Sequence, residues 1–375
     1  MRVDKLHFEH ENWVVDSIEQ DSLEDVELVL VFGSRDTLRS YDHSSMLKKL
    51  YSNATIVGTS TAGNILNTTV SDFGAIGVAI SFEKGHISVN SKIISLKDTQ
   101  KDAQNLIESI NKKDLKHIFV LAQDLDLNGS EIVRGLNLNN NISVTGGMAG
   151  DNLTFEETYI FVNEIDTKNL AVAIGFHGDT INAGIGCAAG WDNFGAKRVV
   201  TKSDGNIVYE IDNKPALELY ELYLGDYIKE LPNSALYFPL GIQSENEKNE
   251  IIRVMMHINK DKSIVFAGDV PEGSIVRLMK TNVNNLIDGA KLSAQGVKQY
   301  NNKKTSLTLV VSCSARLSIL KQFAEEEIVA VKEVIDHKTQ IVGFYSYGEI
   351  APFSNELKNC VLHNQTMTVT TIYED

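Results

Sequence analysis

Two residues of opposite charge, Arg316 and Glu349, stand at the ends of strands predicted in the last fifth of the chain. A guanidinium can grip a carboxylate through two parallel hydrogen bonds, and a carboxylate can accept hydrogen bonds from an ammonium group. Together the two side chains would suit the charged ends of an amino acid. They could also pair with each other or with solvent, which is the common role of single charged residues.

Three further side chains in this region could take part in chemistry. Cys313 follows a fully apolar strand, so it is either a small buried hydrophobe or a thiol that contacts a ligand or reacts. His363 could touch a ligand, hold a loop or ligate haem iron. Tyr347 alternates with Tyr345 around a glycine turn, and one of them should face inward. An enzyme would use Cys313 with His363 or Glu349 on a small amine or acyl substrate.

Three copies of one pattern must position these residues. Each copy reads strand, helix, strand and glycine turn, and the turns occupy residues 58–64, 146–151 and 343–349. An ungapped alignment matches Gly63 with Gly150 and Gly348. A strand, a crossover helix and a second strand form a parallel βαβ pair. The predicted fold class is therefore α/β, or mixed α+β, with two lobes, repeated βαβ units and mixed sheets.

Glycine turns at the carboxyl ends of parallel strands are candidate walls of a ligand site. Backbone N–H groups can approach a ligand there, and crevices outside these strand ends are usual binding places in open α/β sheets. The first turn thus contributes Ser60, Thr61 and Gly63 as candidate ligand contacts. The alternative is that glycine only supplies a positive φ in a tight turn.

The segment between residues 158 and 240 has shorter apolar runs separated by turn pairs, which predicts antiparallel hairpins between the repeated units. One such hairpin is predicted at 177–179 and another at 203–206. Helices are predicted over 216–224 and roughly 285–300. Because the first two units precede Asn213 and the third follows it, we predict two domains, residues 1–212 and 213–375.

Six motifs give the chain a specific resemblance to a known family. They lie at residues 58–65, 146–151, 266–273, 312–316, 343–350 and 362–366. In this order they resemble FIST proteins with paired N-terminal and C-terminal FIST domains, over roughly residues 25–370. The chain departs from the family pattern at Thr59 and Asn64, which replace a cysteine and a glutamate, and at Ala315 and Leu317, which replace two glycines. These departures leave the ligand's identity open.

The resemblance implies a sensory, signal-transducing protein that binds a small polar, amino-acid-like ligand, and not an enzyme. The residues expected to contact the ligand come from the turns and the last motif: Ser60, Thr61, Gly63, Cys313, Arg316, Tyr347, Glu349, His363 and Asn364. One branch of the family binds haem and senses nitric oxide, so the alternative axial ligands are His363, His257 and His177. We expect no metal, because the sequence has no CxxC or CxxCH motif. We also expect no haem cofactor, because the departures from the family pattern fall at turns and do not indicate an apolar haem slot, His177 precedes a predicted exposed hairpin, and the strand that holds His257 could turn it to either face.

Composition excludes several function classes. The formal net charge of −15 would repel a phosphate backbone, so nucleic acid and anionic membrane are not expected partners. The first 15 residues lack a secretory apolar stretch, and the odd number of cysteines, 3, favours reduced thiols in the cytoplasm. The sequence carries no phosphate loop, nucleophile elbow or zinc-protease motif. Since no kinase or cyclase segment is recognisable, the expected output is a separate protein such as a histidine kinase of a two-component system.

Overall fold

The three predicted βαβ units are present in a computed structural model of the chain, which describes residues 1–16, 25–123, 125–243, 250–298, 306–335 and 338–375. With strands numbered in chain order, the parallel pairs are β3 (Leu28–Gly33) with β4 (Thr55–Ser60), β9 (Leu115–Ala122) with β10 (Val144–Met148), and β23 (Ser306–Cys313) with β24 (Thr339–Ser346). β3 and β23 are buried along their whole length, as expected for continuous apolar runs covered on both faces.

Each parallel pair forms the centre of a mixed sheet. Sheet 1 has the strand order β12 (Ile165–Asp166), β11 (Ile160–Val162), β4, β3, β7 (Ala75–Ser81), β1 (Arg2–Glu9) and β2 (Asn12–Asp16). Sheet 2 has the order β26 (Val361–His363), β25 (Glu349–Ala351), β10, β9, β13 (Leu170–His177) and β8 (His86–Ile93). Sheet 3 has the order β14 (Ile181–Ala188), β27 (Met367–Glu374), β23, β24, β5 (Gly63–Leu66) and β6 (Thr69–Ser71). The predicted mixed fold class is confirmed.

Helices cover these sheets and connect their strands. They are α1 (Arg35–Ser40), α2 (His43–Leu50), α3 (Thr99–Glu108), α4 (Gly129–Asn137), α6 (Val283–Gln295), α7 (Ser314–Leu320) and α8 (Ala324–Val334), whereas α5 (Leu217–Leu224) packs in a separate core formed by residues 200–278. Side chains of Ser34, Asp42, Asn128 and Asn282 cap the starts of α1, α2, α4 and α6 by accepting free amide hydrogens. The last two positions of the helix predicted over 285–300 lie outside the described residues.

The strand after each glycine turn leaves its own sheet and joins the next one. β5 follows β4 but pairs with β24, β25 follows β24 but pairs with β10, and β11 follows β10 but pairs with β4. The three turns therefore cross at one point. There the amide of Ala62 donates to Tyr345, that of Gly150 to Ser60 and that of Tyr347 to Met148, over 2.9, 2.9 and 3.3 Å.

These hydrogen bonds make Ala62, Gly150 and Tyr347 equivalent to one another. The ungapped alignment, which matched Gly63 with Gly150, was therefore wrong by one residue for the second turn, although it holds for the first and third. Gly150 also has a steric reason to be glycine. A Cβ atom there would lie 2.6 Å from the amide nitrogen of Ala62.

A fourth, antiparallel sheet is built from residues 192–280 alone. Its order is β19 (Ile251–Arg253), β18 (Leu240–Gln243), β22 (Ile275–Lys280), β15 (Asp192–Asp204), β16 (Ile207–Ile211), β21 (Ile264–Phe266) and β20 (Met255–Ile258), and β17 (Lys214–Pro215) pairs with β16. This inserted lobe has its own apolar core around Val200, Tyr220 and Leu278. We call the three mixed sheets and their helices the main lobe.

Three predictions from the sequence concern residues 177–213. The boundary predicted between residues 212 and 213 falls in the turn that joins β16 to β17, two paired strands of the inserted lobe. The hairpin predicted at 177–179 was wrong, because β13 belongs to sheet 2 whereas β14 pairs with β27 in sheet 3. The hairpin at 203–206 is confirmed as the turn between β15 and β16. In the described part of the chain, no helix is long and apolar enough to cross a membrane.

Candidate functional site

A cavity of about 710 Å³ lies between the two lobes. The main lobe contributes apolar side chains from the end of β10, the loop that follows it, the glycine turn after β24, and β26: Met148, Leu153, Phe155, Tyr347 and Leu362. The inserted lobe contributes an apolar wall of Leu236, Val254, Met255, Met256, Val265 and Phe266. The volume of the cavity is in the range of ordinary small-molecule sites, and a position between two lobes is common for such sites.

Polar groups enter this wall where β23 ends and α7 begins. Cys313, Ser314 and Ser318 line the cavity there, and Asn364 lies beside them on the segment after β26. Asn364 is 1% exposed, and its Nδ2 donates to the carbonyl of His363 over 3.0 Å. Its Oδ1 is buried without a hydrogen-bond partner. A buried acceptor left unpaired is costly, so a partner at this position would be favourable.

Asp151 holds the loop of residues 151–157 that forms one side of the cavity mouth. Its carboxylate accepts hydrogen bonds from the amides of Phe155, Glu156 and Glu157 over 2.7 to 2.9 Å, and from the hydroxyl of Tyr347. Burial alone would raise the pKa of Asp151, but these hydrogen bonds outweigh it and lower the pKa.

The same loop is strained. Leu153 and Phe155 have φ angles of 63° and 54°, which bulky side chains rarely adopt. The ring of Phe155 stacks on Tyr347 with centroids 4.5 Å apart. Leu153 and Phe155 nevertheless remain 37% and 47% exposed at the mouth. The carboxylate of Asp151 thus holds the backbone of this loop in an unfavourable conformation, and the loop presents the side chains of Leu153 and Phe155 at the cavity mouth.

Arg316 does not reach the cavity. Its side chain is fully buried, and its Nε and Nη2 donate to Oε2 of Glu327 on α8 over 3.1 and 2.7 Å. The guanidinium also donates to the carbonyls of Ala189 and Leu286. The expectation that Arg316 grips a ligand carboxylate is not supported, because its donors are used inside the protein. Its partner is Glu327, not Glu349.

Glu349 is also internal. Its Oε1 accepts from the hydroxyl of Ser346 over 2.9 Å, and its Oε2 accepts from the amide and hydroxyl of Thr366 over 3.1 and 2.8 Å. Burial raises its pKa to about 8, against the opposing effect of these hydrogen bonds. The carboxyl group ties β25 to the segment before β27, and it does not line the cavity.

The first glycine turn lies away from the cavity as well. Ser60 accepts a hydrogen bond from the amide of Tyr159 over 2.8 Å, and Thr61 donates to Oδ1 of Asn64 over 2.7 Å. Gly63 pairs with Tyr345 across sheet 3. Of the nine candidate ligand contacts, the structure places three on the cavity wall: Cys313, Tyr347 and Asn364.

None of the three candidate haem ligands lines the cavity. Nε2 of His363 donates to the carbonyl of Ala351 over 3.0 Å, and burial lowers the pKa of the ring to about 4. His177 is buried between Ser88 and the carbonyl of Lys113, so the expectation that it borders an exposed hairpin was wrong. His257 is exposed on β20. These three residues do not fit the role of axial ligand to a haem in this cavity.

The thiol of Cys313 is not prepared for nucleophilic attack. Burial raises its pKa well above the ordinary value, so the thiolate is disfavoured. Among the described residues, no side-chain hydrogen bond joins Cys313 to His363 or Glu349, and no cluster of three or more metal-ligating side chains is present. The geometry is that of a cavity wall.

Sequence reasoning missed the whole apolar half of the site. Met255, Met256 and Phe266 come from strands of the inserted lobe, and Val254 lies between β19 and β20. Of these four residues, only Phe266 belongs to one of the six motifs, the one at 266–273. The alternating strand around Met255 could have indicated one inward face, but not what that face meets. Asn364 was found through its motif, although its unpaired oxygen could not have been.

The fold and the cavity together define a two-lobed mixed α+β protein with a cavity between its lobes. Family comparison agrees with the motifs: residues 27–214 match the FIST N domain and residues 216–352 match the FIST C domain. The chain therefore belongs to the FIST family, whose domains are associated with sensory and signal-transduction proteins.

One curated relative is the uncharacterized protein MJ1623 of Methanocaldococcus jannaschii. It is 27% identical over 238 residues, which cover 56% of this chain and 45% of the relative. The chain thus spans less than half the length of this relative, which is itself uncharacterized.

Proposed function

We propose that this protein is a cytoplasmic sensor that binds a small organic molecule in the cavity between its lobes, without turning it over. The observation that carries the proposal is the cavity itself. It has a volume of about 710 Å³ and a mainly apolar wall, and the unpaired oxygen of Asn364 lies beside it. Ligand sites in proteins usually combine such a wall with a few polar groups that fix orientation. In this proposal the ligand contacts Asn364, Cys313 and Tyr347. Arg316 and Glu349, which the sequence suggested as contacts for the charged ends of an amino acid, do not contact it.

The signal is proposed to pass to a separate protein, such as a histidine kinase of a two-component system. FIST domains account for residues 27–214 and 216–352 of this chain, and neither match names a catalytic output. A ligand that touches both lobes can bias their relative arrangement, provided that it binds one arrangement better than the other. A partner that recognises that arrangement would complete the response.

An enzymatic role for Cys313 and a haem-binding role are the two alternatives. The raised pKa of Cys313 argues against nucleophilic catalysis, and the positions of His363, His257 and His177 argue against haem ligation by histidine. Reconstitution with haemin tests the second alternative. We expect no stoichiometric Soret band that depends on His363, His257 or His177. A stoichiometric band that disappears when one of these histidines is replaced would favour haem sensing.

Mass spectrometry of small molecules released from the purified protein tests the main proposal. Ser318→Trp places a large side chain in the cavity wall, whereas Ala196→Trp makes a comparable change at an exposed position of β15. We expect one organic compound to be released in stoichiometric amount from the parent protein and Ala196→Trp, and to be depleted from Ser318→Trp. Equal recovery from all three proteins would place binding elsewhere.

A further inference from the structure

We infer that the ligand of the interlobe cavity is an uncharged, largely apolar molecule that carries a hydrogen-bond donor, such as a hydroxyl or N–H group on an aromatic ring. The inference rests on the proposed function, since it takes this cavity to be the sensor's ligand site. It concerns the chemical class of the ligand, which neither the family match nor the relative specifies.

The first step is the absence of charge on the wall. Among the described residues, the cavity is lined by no Asp, Glu, Lys, Arg or His side chain. A carboxylate or ammonium group moved from water into such a site would lose its hydration without gaining an ion pair, which is strongly unfavourable. A zwitterionic amino acid would carry this penalty twice.

Charged residues behind the wall do not change this conclusion, because each is already engaged. Arg253 donates through Nη1 to the carbonyl of Leu362 over 2.9 Å and through Nε to the carbonyl of Asp269 over 3.1 Å. The carboxylate of Asp269 in turn pairs with Arg134 and accepts from Asn128. To bind a charged ligand, these groups would have to give up the contacts that join the two lobes.

The second step is the kind of apolar surface. Met148, Met255 and Met256 line the cavity, and methionine adapts its shape to irregular apolar ligands and makes favourable sulfur–aromatic contacts. The stacked rings of Phe155 and Tyr347 add aromatic surface to the main-lobe side of the cavity. A ring system suits both features better than a compact polar metabolite does.

The third step is the donor. Because Nδ2 of Asn364 is engaged with the carbonyl of His363, the free group of this amide is its acceptor Oδ1. An O–H or N–H group of the ligand can satisfy that oxygen, whereas an acceptor cannot. A site with a buried acceptor discriminates strongly against an analogue that lacks the donor, because the acceptor then stays unpaired.

A matched series of naphthalene probes tests each step at pH 7 by isothermal titration calorimetry. 1-Naphthol is neutral and has a donor, 1-methoxynaphthalene is neutral without a donor, and 1-naphthoate is charged. We expect 1-naphthol to bind at least tenfold more tightly than either analogue to the parent protein and to Ala196→Trp. Its binding should be lost in Ser318→Trp, and Asn364→Leu should reduce its advantage over 1-methoxynaphthalene to less than threefold.

The outcomes separate this inference from the proposed function. Tightest binding of 1-naphthoate, lost in Ser318→Trp, would overturn the ligand class while keeping the cavity as the site. Binding of 1-naphthol that Ser318→Trp leaves unchanged would overturn the proposed function itself. If no probe binds the parent protein, the ligand class is contradicted, and release of a native ligand still judges the cavity. Should Asn364→Leu fail to fold, the comparison of 1-naphthol with 1-methoxynaphthalene on the parent protein decides the donor.

Discussion

Replacement of Arg316 by alanine distinguishes a structural arginine from a ligand-gripping one. Arg316 lies in the first turn of α7, and its guanidinium connects this helix to two others. It pairs with Glu327 on α8 and donates to the carbonyl of Leu286 on α6. Both members of the ion pair are fully buried. Alanine would leave the carboxylate of Glu327 in the interior with only the hydroxyls of Ser312 and Tyr345 as donors.

The expected cost is large because an uncompensated charge remains buried. Removing one partner of a buried ion pair typically costs about 3–5 kcal/mol. For a domain of 150–250 residues this corresponds to a fall in melting temperature of roughly 6–20 °C. By contrast, Arg39 makes a two-pronged contact with Glu157 at the surface, where the two side chains are 46% and 32% exposed. Arg39→Ala should therefore cost about 1 kcal/mol or less.

Thermal and urea unfolding of the parent, Arg316→Ala and Arg39→Ala measure this difference. A double variant, Arg316→Met with Glu327→Leu, removes both charges and should recover most of the lost stability, since apolar residues often replace buried ion pairs without loss. If Arg316→Ala instead melts within 2 °C of the parent and loses ligand binding, Arg316 contacts the ligand and the structural role is wrong.

Three further predictions concern the crossing point and the termini of the main lobe. Asp151→Asn should lower stability by about 2–3 kcal/mol, because hydrogen bonds to charged groups are worth roughly 1.5–3 kcal/mol, and it should speed proteolysis within 151–157; unchanged cleavage would contradict the role of Asp151. Gly150→Ala should prevent stable folding, since its Cβ would meet the backbone of Ala62 at 2.6 Å. Gly348→Ala should be mild, because the nearest atoms to its Cβ would be movable side chains at 3.0 and 3.2 Å and the nearest backbone atom would lie at 3.8 Å. Equal melting temperatures of the two variants would show that the turns do not cross closely. Burial opposes ionisation of Glu374, but hydrogen bonds from the N-terminal ammonium and the amides of residues 83–85 outweigh this effect and lower the pKa of Glu374 to about 2. The ionised carboxylate therefore stabilises the fold above pH 4.5, and this contribution is lost as the pH falls towards 2. Glu374→Gln should flatten the loss of stability at acid pH, and an unchanged pH dependence would refute this.

The parallel pairs and the glycine turns could be predicted from the sequence because both depend on local patterns. A continuous apolar run marks a strand such as β23 that is covered on both faces, and glycine marks a position where chains approach closely. The destination of β5, β11 and β25 could not be predicted. β5 and β25 follow their turns directly and β11 follows after a loop, but the partner strand of each lies in another repeat, and pairing over such distances leaves no local signal.

The partners of charged residues were equally hidden. Arg316 and Glu349 both stood at strand ends, which suggested a shared site. Their actual partners are fixed by packing, since Glu327 lies on the buried face of α8 with Ile328 and Val331. The sequence did contain one signal for a buried ion pair, namely the acidic residue Glu327 within the apolar face of a predicted helix. That signal indicates an internal partner for Arg316 and not a ligand.

The crossing of three similar turns also explains why only some candidate residues reach the cavity. The repeats offer equivalent crevices beyond the ends of their parallel strands, but the chain fills the first crevice itself. The carbonyl of Gly74 accepts from the amide of Ser34, and the carbonyl of Phe73 accepts from Nδ2 of Asn64, over 2.9 and 3.2 Å. Polar groups of the first turn are thereby satisfied internally. The end of β23 is instead covered by the inserted lobe, which leaves a cavity and the unpaired oxygen of Asn364. Position within the repeat supplies the crevice, and what covers it decides whether a ligand can bind there.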